Sequence, residues 1–396
     1  MKAPRIVTDF MDSPLITSNH RLAITTADDS YLVYDLDSCK LHRLNATAAL
    51  ILELCNGQRS IADISNILDP LLQNNPISCI DWIKFATDEG LLVTHKSSAS
   101  EVKRPTPQDF RASSIELRAD GEILAAFVCQ EQATEMESDN AVNWLGLGEL
   151  AHILGRRDRA REAYQQYLVI QPDNAETRHI LDALLDKDPP SRAPDECIVQ
   201  LYSRFAEFYE HNMCDELDYA APELVREAIA TVLPSPQSIS ILELGCGTGL
   251  AGKYLKPLAN TLIGIDLSPD MAAICSATGL YDQIHVAEIT AFLANAYSVH
   301  QLIVACDTFI YFGDLRQVIF PAVRCLNSGG LFIFTVEKTD FAPFKLTDSG
   351  RYAHSKEHIV STAREAGLEV FGITESILRK EYGNPVTGFV AVLRKN

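Results

Sequence analysis

One short segment limits the folds that this chain can adopt. In SILELGCGTGLAGKYL, residues 240–255, an apolar run leads into three glycines at alternate positions, Gly245, Gly247 and Gly249, and a helical pattern follows. Glycines permit the sharp turn that joins a strand to a helix, and free N–H groups at a helix start can bind a ligand. The segment therefore predicts the first strand of an open α/β sheet, with a small-molecule site at its carboxyl edge.

The region 197–396 alternates between strand-like and helix-like patterns, which is typical of a parallel sheet covered by helices. Seven strands are predicted, at 239–244, 261–266, 283–287, 301–306, 330–336, 368–376 and 386–394. Only about eight residues separate the last two strands, whereas a parallel crossover needs about a dozen or more. The seventh strand is therefore predicted to run antiparallel, which distinguishes this Rossmann-like sheet from an ordinary dinucleotide fold.

The residues around the glycines favour a cationic ligand without phosphate. A dinucleotide site has the fingerprint GxGxxG, but here the spacing is GxGxG and Leu250 stands where the third fingerprint glycine would fall. Glu243, two residues before the first glycine, is unfavourable beside a diphosphate and favourable beside a cation. S-adenosylmethionine has a sulfonium and an ammonium group and no phosphate, so we predict it as the cofactor.

Further residues are expected to complete the cofactor site. Asp266 ends the second strand, where its carboxylate can accept hydrogen bonds from both ribose hydroxyls, although this spacing alone suits NAD equally well. Met271 is predicted to pack on the adenine, and Glu288, after the third strand, to bind the adenine amino group. Asp307 follows the fourth strand, at the edge where cofactor and substrate are expected to meet.

This region resembles the seven-stranded class I methyltransferases, with ELGCGTG as the glycine motif and LNSGGLFIF (326–334) as the turn before the fifth strand. It is still more similar to a subfamily of predicted methyltransferases that carry tetratricopeptide repeats. That likeness lies in FAEFYEHNMCDELDYAAPELV (205–225), IVACDTFIYFGDL (303–315) and SGRYAHSKEHI (349–359). The resemblance covers about 200 residues and implies an enzyme that depends on S-adenosylmethionine.

The candidate catalytic residues come from two segments. Methyl transfer depends mainly on positioning, and a base is needed only if the nucleophile arrives protonated. DTFIYFG, just beyond strand four, offers Asp307, Tyr311 and Phe312. SGRYAHS offers Arg351, Tyr352 and His354. His354 is the preferred base or orienting residue, with an exposed loop histidine as the alternative. Arg351 could pair with a substrate carboxylate or with a surface acid, and no metal site is predicted.

The residues at the end of strand four limit the chemical classes of methyl acceptor. It reads CDTF, and not the Asn/Asp-Pro-Pro-Tyr/Phe pattern of methyltransferases that act on planar amide or exocyclic amino nitrogens. This difference weakens a DNA base or a glutamine amide as the acceptor. The acceptor atom can still be a carboxylate oxygen, an amine nitrogen or a carbon.

Two polar, proline-containing segments, 97–108 and 186–196, divide the chain into predicted domains at 1–97, 110–186 and 197–396. In the middle domain, residues at the offsets of one tetratricopeptide repeat are Trp144, Leu147, Gly148, Ala160, Tyr164 and Pro172. Such a helical segment could serve as a spacer, or as a groove for a peptide or a second subunit.

The first 97 residues predict a winged-helix-like domain. Three short strands, roughly 21–26, 31–35 and 39–44, precede three helices and a terminal strand or wing at GLLVT. DNA binding is the default for this shape, but residues 1–96 hold 8 Lys+Arg and 12 Asp+Glu, and the whole chain has a net charge of −19. Such acidity is unfavourable beside phosphates, so no nucleic-acid partner is expected.

The segment LHRLNATAALILELCNGQRSIADI (41–64) resembles the PqqD-like peptide-recognition domains of pathways that modify ribosomally made peptides. In that family a leader peptide adds a strand beside the third strand and packs against the third helix. The resemblance implies a groove lined by Leu41, Arg43, Trp82 and Phe85. Plain core positions are the alternative for Trp82 and Phe85.

The sequence therefore predicts a multidomain α/β enzyme that binds the leader of a ribosomal precursor peptide and methylates its core, helped by the local concentration that tethering provides. One alternative is a scaffold that assembles other modifying enzymes. Another is a small-molecule methyltransferase whose front domains form a homodimer. Ten singly placed cysteines, and no signal segment or apolar run of about 18 residues, favour a cytoplasmic protein away from membranes.

Overall fold

The computed structural model describes residues 16–27, 30–68, 78–94, 104–185, 189–233, 238–296, 298–341, 343–381 and 383–396. The chain divides into two compact units, Met1–Ile170 and Gln171–Asn396. Parts of both predicted joints, 97–103 and 186–188, lie outside the described residues. The division into three predicted domains stays a prediction.

The first unit contains two small antiparallel sheets. Strands β2 (Leu22–Ala27), β3 (Ser30–Asp35) and β4 (Lys40–Asn45) pair in that order. Strand β1 (Ile16–Ser18) pairs with β5 (Leu92–Thr94), which occupies most of the predicted wing segment. The three strands of the larger sheet lie within about one residue of the predicted ranges.

Side chains alternate along each strand, so the β2–β3–β4 sheet has two faces. Helices pack on both of them, although most residues of β4 stay exposed. One face packs on three helices, α1 (Ala46–Leu54), α2 (Ile61–Leu68) and α3 (Cys79–Asp88). The other face packs on α4 (Pro107–Ala119) and α5 (Ile123–Met136). This second layer joins part of the predicted middle domain to the sheet of the first domain.

Helices α6 (Ala141–Ile153) and α7 (Arg157–Ile170) occupy the predicted repeat and pack closely against each other. A Cβ at Gly148 would lie 2.5 Å from the ring of Tyr164, so a larger residue there would have to displace that ring. The packing accounts for the small residue at position 148. The assignment of this helix pair to the tetratricopeptide family stays a prediction.

The second unit is built on a mixed sheet. Seven of its described strands lie in the order β8–β7–β6–β9–β10–β14–β13, and a short pair, β11 and β12, extends it beside the end of β10. The strands are β6 (Ile239–Leu244), β7 (Ala259–Asp266), β8 (Gln283–Val286), β9 (His300–Ala305), β10 (Leu326–Lys338), β11 (Phe344–Leu346), β12 (Tyr352–His354), β13 (Leu368–Glu381) and β14 (Asn384–Lys395).

The reversed last strand is confirmed. Strand β14 runs antiparallel to β10, from the pair Leu331–Arg394 to the pair Glu337–Gly388. Strands β6, β7, β8, β9 and β10 run parallel to their neighbours within this group. The strand order therefore reverses between β6 and β9, which is where open α/β sheets bind their ligands.

Helices cover both faces of this sheet, as the alternating pattern predicted. They are α8 (Ala175–Leu184), α9 (Asp195–Phe205), α10 (Ala221–Val232), α11 (Gly252–Leu255), α12 (Pro269–Ala277), α13 (Ile289–Asn295), α14 (Arg316–Arg324) and α15 (Lys356–Glu365). Helix α8, predicted as part of the middle domain, belongs to this second unit. Among the described helices, none combines the length and the apolar character that a membrane span requires.

Candidate active site

The second unit contains a cavity at the carboxyl ends of β6, β7 and β9, where the strand order reverses. It encloses about 600 Å³ of space, part of it continuous with solvent. The residues that were predicted from the sequence and that line it together are Gly245, Gly247, Asp266, Met271, Glu288, Asp307, Tyr311 and Phe312. The glycine turn and the acidic residues at the strand ends thus lie around one cavity, as the sequence predicted.

The turn after β6 is fixed by backbone hydrogen bonds. The N–H groups of Gly245 and Cys246 both donate to the carbonyl of Ile265, at 2.8 and 2.9 Å. Gly247 faces the cavity, whereas Gly249 does not line it and lies against Cys275. Of the three glycines, the first two therefore form the wall of the cavity.

Asp266 connects the glycine turn to helix α12. Its Oδ2 accepts a hydrogen bond from the N–H of Gly247 at 2.8 Å, and its Oδ1 accepts one from the N–H of Ser268 at 2.8 Å. Burial raises the pKa of Asp266, and these backbone hydrogen bonds oppose that shift. Each carboxylate oxygen has a second lone pair. The placement therefore suits the predicted contact with ribose hydroxyls.

Glu288 has two structural contacts besides its place in the cavity wall. Its Oε2 caps α13 by accepting the N–H of Ala291 at 2.7 Å, and its Oε1 pairs with Arg192 at 2.8 Å. Arg192 also lies over the ring of Phe312. Arg192 was not predicted as a site residue, because it lies in the polar segment 186–196 that was interpreted as a joint between domains.

Glu243 is placed differently from the prediction. It does not line the cavity, and it is buried behind the glycine turn, where its Oε2 accepts a hydrogen bond from the hydroxyl of Tyr281 at 2.6 Å. Burial raises the pKa of Glu243 to about 8. In the chain alone the carboxyl group is therefore mainly protonated at neutral pH, and its contact with the cationic cofactor stays a prediction.

The raised pKa of Glu243 predicts a specific dependence of stability on pH. In the folded chain the pKa is about 8, whereas the ordinary value for an exposed glutamate is 4.5. The contribution to stability is therefore full below the unfolded value and is lost as the pH rises through about 8. Glu243→Gln retains the shape without the ionisation. We expect this variant to be more stable than the wild type at pH about 9, as measured by urea unfolding.

Glu223→Gln provides the matched control. Glu223 also accepts a hydrogen bond from a tyrosine, Tyr254, but at an exposed position, with 2.8 Å between the oxygens. This variant should follow the wild type at every pH. Parallel stability curves for Glu243→Gln and the wild type between pH about 5 and about 9 would contradict the assignment.

A second cavity adjoins the first and encloses about 610 Å³, including open space. Four residues line both cavities: Tyr202, Tyr209, Asp307 and Tyr311. The hydroxyls of Tyr202 and Tyr311 lie 2.9 Å apart. Sequence reasoning did not single out Tyr202 and Tyr209 as site residues, because both precede the first strand of the sheet. Tyr209 lies in the segment 205–225 that carries the family resemblance, whereas Tyr202 lies in no quoted segment. Their only signal was the concentration of aromatic residues in 202–209.

Asp307 lies between the two cavities and is held on both sides. Its Oδ2 pairs with Arg379 at 2.6 Å, and its Oδ1 accepts a hydrogen bond from the hydroxyl of Thr335 at 3.1 Å. The N–H of Asp307 donates back to the same hydroxyl at 2.8 Å. These contacts fit a residue that shapes the site better than a base with a free carboxylate.

The three candidates from SGRYAHS are separated by the structure. Arg351 lines the second cavity and pairs with Glu381. Tyr352 is buried outside both cavities, and its hydroxyl donates to the carbonyl of Pro190 at 2.8 Å. This placement argues against a catalytic role for Tyr352. The side chain instead connects strand β12 to the segment around Pro190.

His354 is also buried outside both cavities, on the short strand β12. Its Nε2 lies 2.7 Å from the carbonyl oxygen of Phe312, and burial lowers its pKa to about 4. A histidine that reaches neither cavity is poorly placed as a base, and it is not an exposed loop residue either. The short strand could not be distinguished from a loop in the sequence.

The four predicted peptide-binding residues lie in the first unit. Leu41 on β4 and Phe85 on α3 are 37% and 52% exposed, and Arg43 is exposed as well. Trp82 is only 8% exposed and packs in the core with Ile51 and Ile83. Trp82 is therefore a core residue, which was the alternative stated for it, whereas Phe85 is accessible.

Comparison with known proteins identifies both regions. Residues 242–334 match the family model described as "Methyltransferase domain". The chain therefore contains a methyltransferase domain over these residues. Residues 30–72 match the model "Coenzyme PQQ synthesis protein D (PqqD)", so a PqqD-like domain precedes the methyltransferase domain. The PqqD match extends past Leu68 into residues that the structure does not describe.

Similar proteins match parts of the chain. Methyltransferase-like protein 27 of Homo sapiens is 36% identical over 88 residues, or 22% of this chain, and the chain spans only 36% of that relative's length. The N-methyltransferase NodS from Bradyrhizobium japonicum WM9, solved with S-adenosyl-L-homocysteine, is 19% identical with a TM-score of 0.40, over 50% of this chain and 97% of NodS. Magnesium protoporphyrin IX methyltransferase (ChlM) from Synechocystis PCC 6803, also with S-adenosyl-L-homocysteine, is 11% identical with a TM-score of 0.41, over 51% and 100%.

Proposed function

We propose that this chain methylates the core of a ribosomally made precursor peptide, and that its first unit binds the leader of that peptide. The observation that carries the peptide part is the open edge of β4, since among the described strands only β3 pairs with it. An unpaired strand edge can accept a peptide as an additional strand, and neighbouring side chains then select its sequence.

The side chains beside this edge suit such a peptide. Leu41 is exposed on β4 and Phe85 is exposed on α3. A salt bridge of 3.1 Å between Lys40 and Glu89 connects the start of β4 to the end of α3. An exposed aromatic residue is a favourable anchor for a peptide side chain. We infer that β4 and α3 border a groove, as expected for the winged-helix-like domain.

The methyltransferase domain supports the chemical part of the proposal. S-adenosylmethionine supplies an electrophilic methyl group when it is bound, and Gly245, Gly247, Asp266 and Met271 form the walls that would hold it. The second cavity shares Tyr202, Tyr209 and Tyr311 with the first, so an acceptor there would lie next to the cofactor. We infer that positioning is the main contribution of these residues.

The test is co-expression with short peptides encoded beside the gene, followed by mass spectrometry for the mass of one added methyl group. Phe85→Ser removes the exposed aromatic anchor, and we expect it to reduce methylation on the order of 10-fold or more. The physical reason is that a peptide bound less often reaches the active site less often.

Ile115→Ser is the matched control, because Ile115 is a similarly exposed apolar residue on α4 of the same unit. It should methylate the peptide as the wild type does. Equal methylation by wild type and Phe85→Ser would remove the proposed groove. If the enzyme methylated a free small molecule, and neither variant changed that rate, a small-molecule methyltransferase would be favoured instead.

A further inference from the structure

The second cavity has a net positive lining. Of its charged residues, Arg351 and Arg379 are cationic and Asp307 is anionic, so two positive charges and one negative charge give +1. The negative charge is already paired, because Asp307 contacts Arg379 at 2.6 Å. Glu337 and Glu381 complete this network but do not line the cavity. With these two carboxylates the network holds two positive and three negative charges, so an anionic acceptor would depend on a direct contact with Arg351, which lines the cavity.

Arg351 retains donors for a ligand. Within the described residues, its guanidinium donates to Glu381 through Nη1 and through no other nitrogen. The guanidinium group has five N–H donors in a planar fork, which matches the geometry of a carboxylate. Its positive charge also acts on the hydroxyls of Tyr202, Tyr209 and Tyr311, so all four side chains face one region.

No described side chain that lines this cavity is placed to accept a proton. Burial raises the pKa of Tyr202, Tyr209 and Tyr311, so their hydroxyls stay protonated. The carboxylate of Asp307 is engaged by Arg379 and Thr335. His354 lies outside the cavity. This lining favours an acceptor that arrives already deprotonated, as a carboxylate does near neutral pH and an alkyl amine does not.

We propose that the second cavity binds a carboxylate of the substrate against Arg351 and that the product is a methyl ester, an inference that rests on the proposed function. One carboxylate oxygen forms a bond to the methyl carbon while the bond from that carbon to sulfur breaks, and the electron pair stays on sulfur. The negative charge of the carboxylate and the positive charge of the sulfonium disappear together. No proton is released, so no base is required.

The test uses the full chain, labelled S-adenosylmethionine and four capped pentapeptides at millimolar concentration, whose single central residue is Asp, Glu, Lys or Tyr. Calorimetry with S-adenosylhomocysteine first checks the cofactor site. We expect label only in the Asp or Glu peptide, released as methanol by mild alkali. Label in Lys or Tyr, alkali-stable label, or no label at all with normal S-adenosylhomocysteine binding would each overturn the carboxylate assignment. Failure to bind S-adenosylhomocysteine would instead remove the proposed function itself.

Variants of Arg351 distinguish a loss of substrate binding from a loss of the folded cofactor site. Arg351→Met should lower kcat/KM for the labelled peptide about 10- to 100-fold, with unchanged affinity for S-adenosylhomocysteine, because a charge-assisted hydrogen bond is lost. Arg351→Lys should recover part of the loss. Arg316→Met, which removes an exposed arginine paired with Asp314, is the control and should behave as wild type. Equal kcat/KM for Arg351→Met and Arg316→Met would exclude Arg351 as the carboxylate ligand.

The pH profile gives an independent readout. For a carboxylate acceptor without a base, kcat/KM should be level between pH about 6 and about 9, because the acceptor is ionised above a pKa of about 4. An amine acceptor would instead give a rate that rises toward a pKa of about 10. A rise of about 10-fold per pH unit across this range would overturn the proposal.

Discussion

Gly245→Ala is expected to weaken cofactor binding strongly. Gly245 has a φ of +71°, in the left-handed region that costs a residue with a Cβ roughly 1–2 kcal/mol. In addition, the new Cβ would lie 2.3 Å from Oγ1 of Thr308, which is held by a hydrogen bond of 2.9 Å to the carbonyl of Leu244. Thr308 lines the cofactor cavity, so its displacement changes the site directly. We expect S-adenosylhomocysteine to bind on the order of 100-fold more weakly by calorimetry.

Gly279→Ala separates the clash from the backbone strain. Gly279 has a φ of +67°, but nothing lies within 4 Å of a Cβ built there. The two variants therefore share a similar backbone cost, and only Gly245→Ala has the contact with Thr308. Gly279→Ala should lower the Tm slightly and leave the affinity for S-adenosylhomocysteine unchanged. Similar affinities for the two variants would show that the contact with Thr308 does not explain the glycine.

The sheet could be predicted from the sequence because its signals are local. The apolar runs of β6 and β9 and the glycine turn each lie within a few residues, and the short connection before β14 fixes its direction. The strand end farthest from its prediction was that of β13, predicted to end at 376 and observed to end at Glu381. Its second half contains Arg379, Lys380 and Glu381, and a run of charged residues does not resemble a buried strand.

The contacts on the acceptor side of the site could not be predicted, because they join distant parts of the chain. Tyr202 meets Tyr311 across 109 positions, and Arg379 meets Asp307 across 72. The misplacement of Glu243 was avoidable in part. Leu242 and Leu244 face one core, so the alternation of side chains turns Glu243 to the opposite face of β6.

Arg379→Met is expected to destabilise the second unit severely. Arg379 is 1% exposed within β13, and its guanidinium pairs with the carboxylates of Asp307, Glu337 and Glu381. Methionine fills much of the same space but leaves these carboxylates without their shared cation. Removing one partner of a buried ionic group costs about 3–5 kcal/mol. We expect the free energy of unfolding, measured in urea, to fall by about this amount.

Lys380→Met controls for the loss of a positive charge at the adjacent position. Lys380 pairs with Asp218 at 2.6 Å, but its side chain is 49% exposed, and exposed pairs contribute about 0–1 kcal/mol. Adding Glu337→Gln to Arg379→Met removes one of the orphaned charges and should restore part of the lost stability. If Arg379→Met were no less stable than Lys380→Met, the buried network would not hold Asp307 in place. The position of Asp307 between the two cavities would then need another cause, and the hydrogen bonds with Thr335 are the remaining contacts that could supply it.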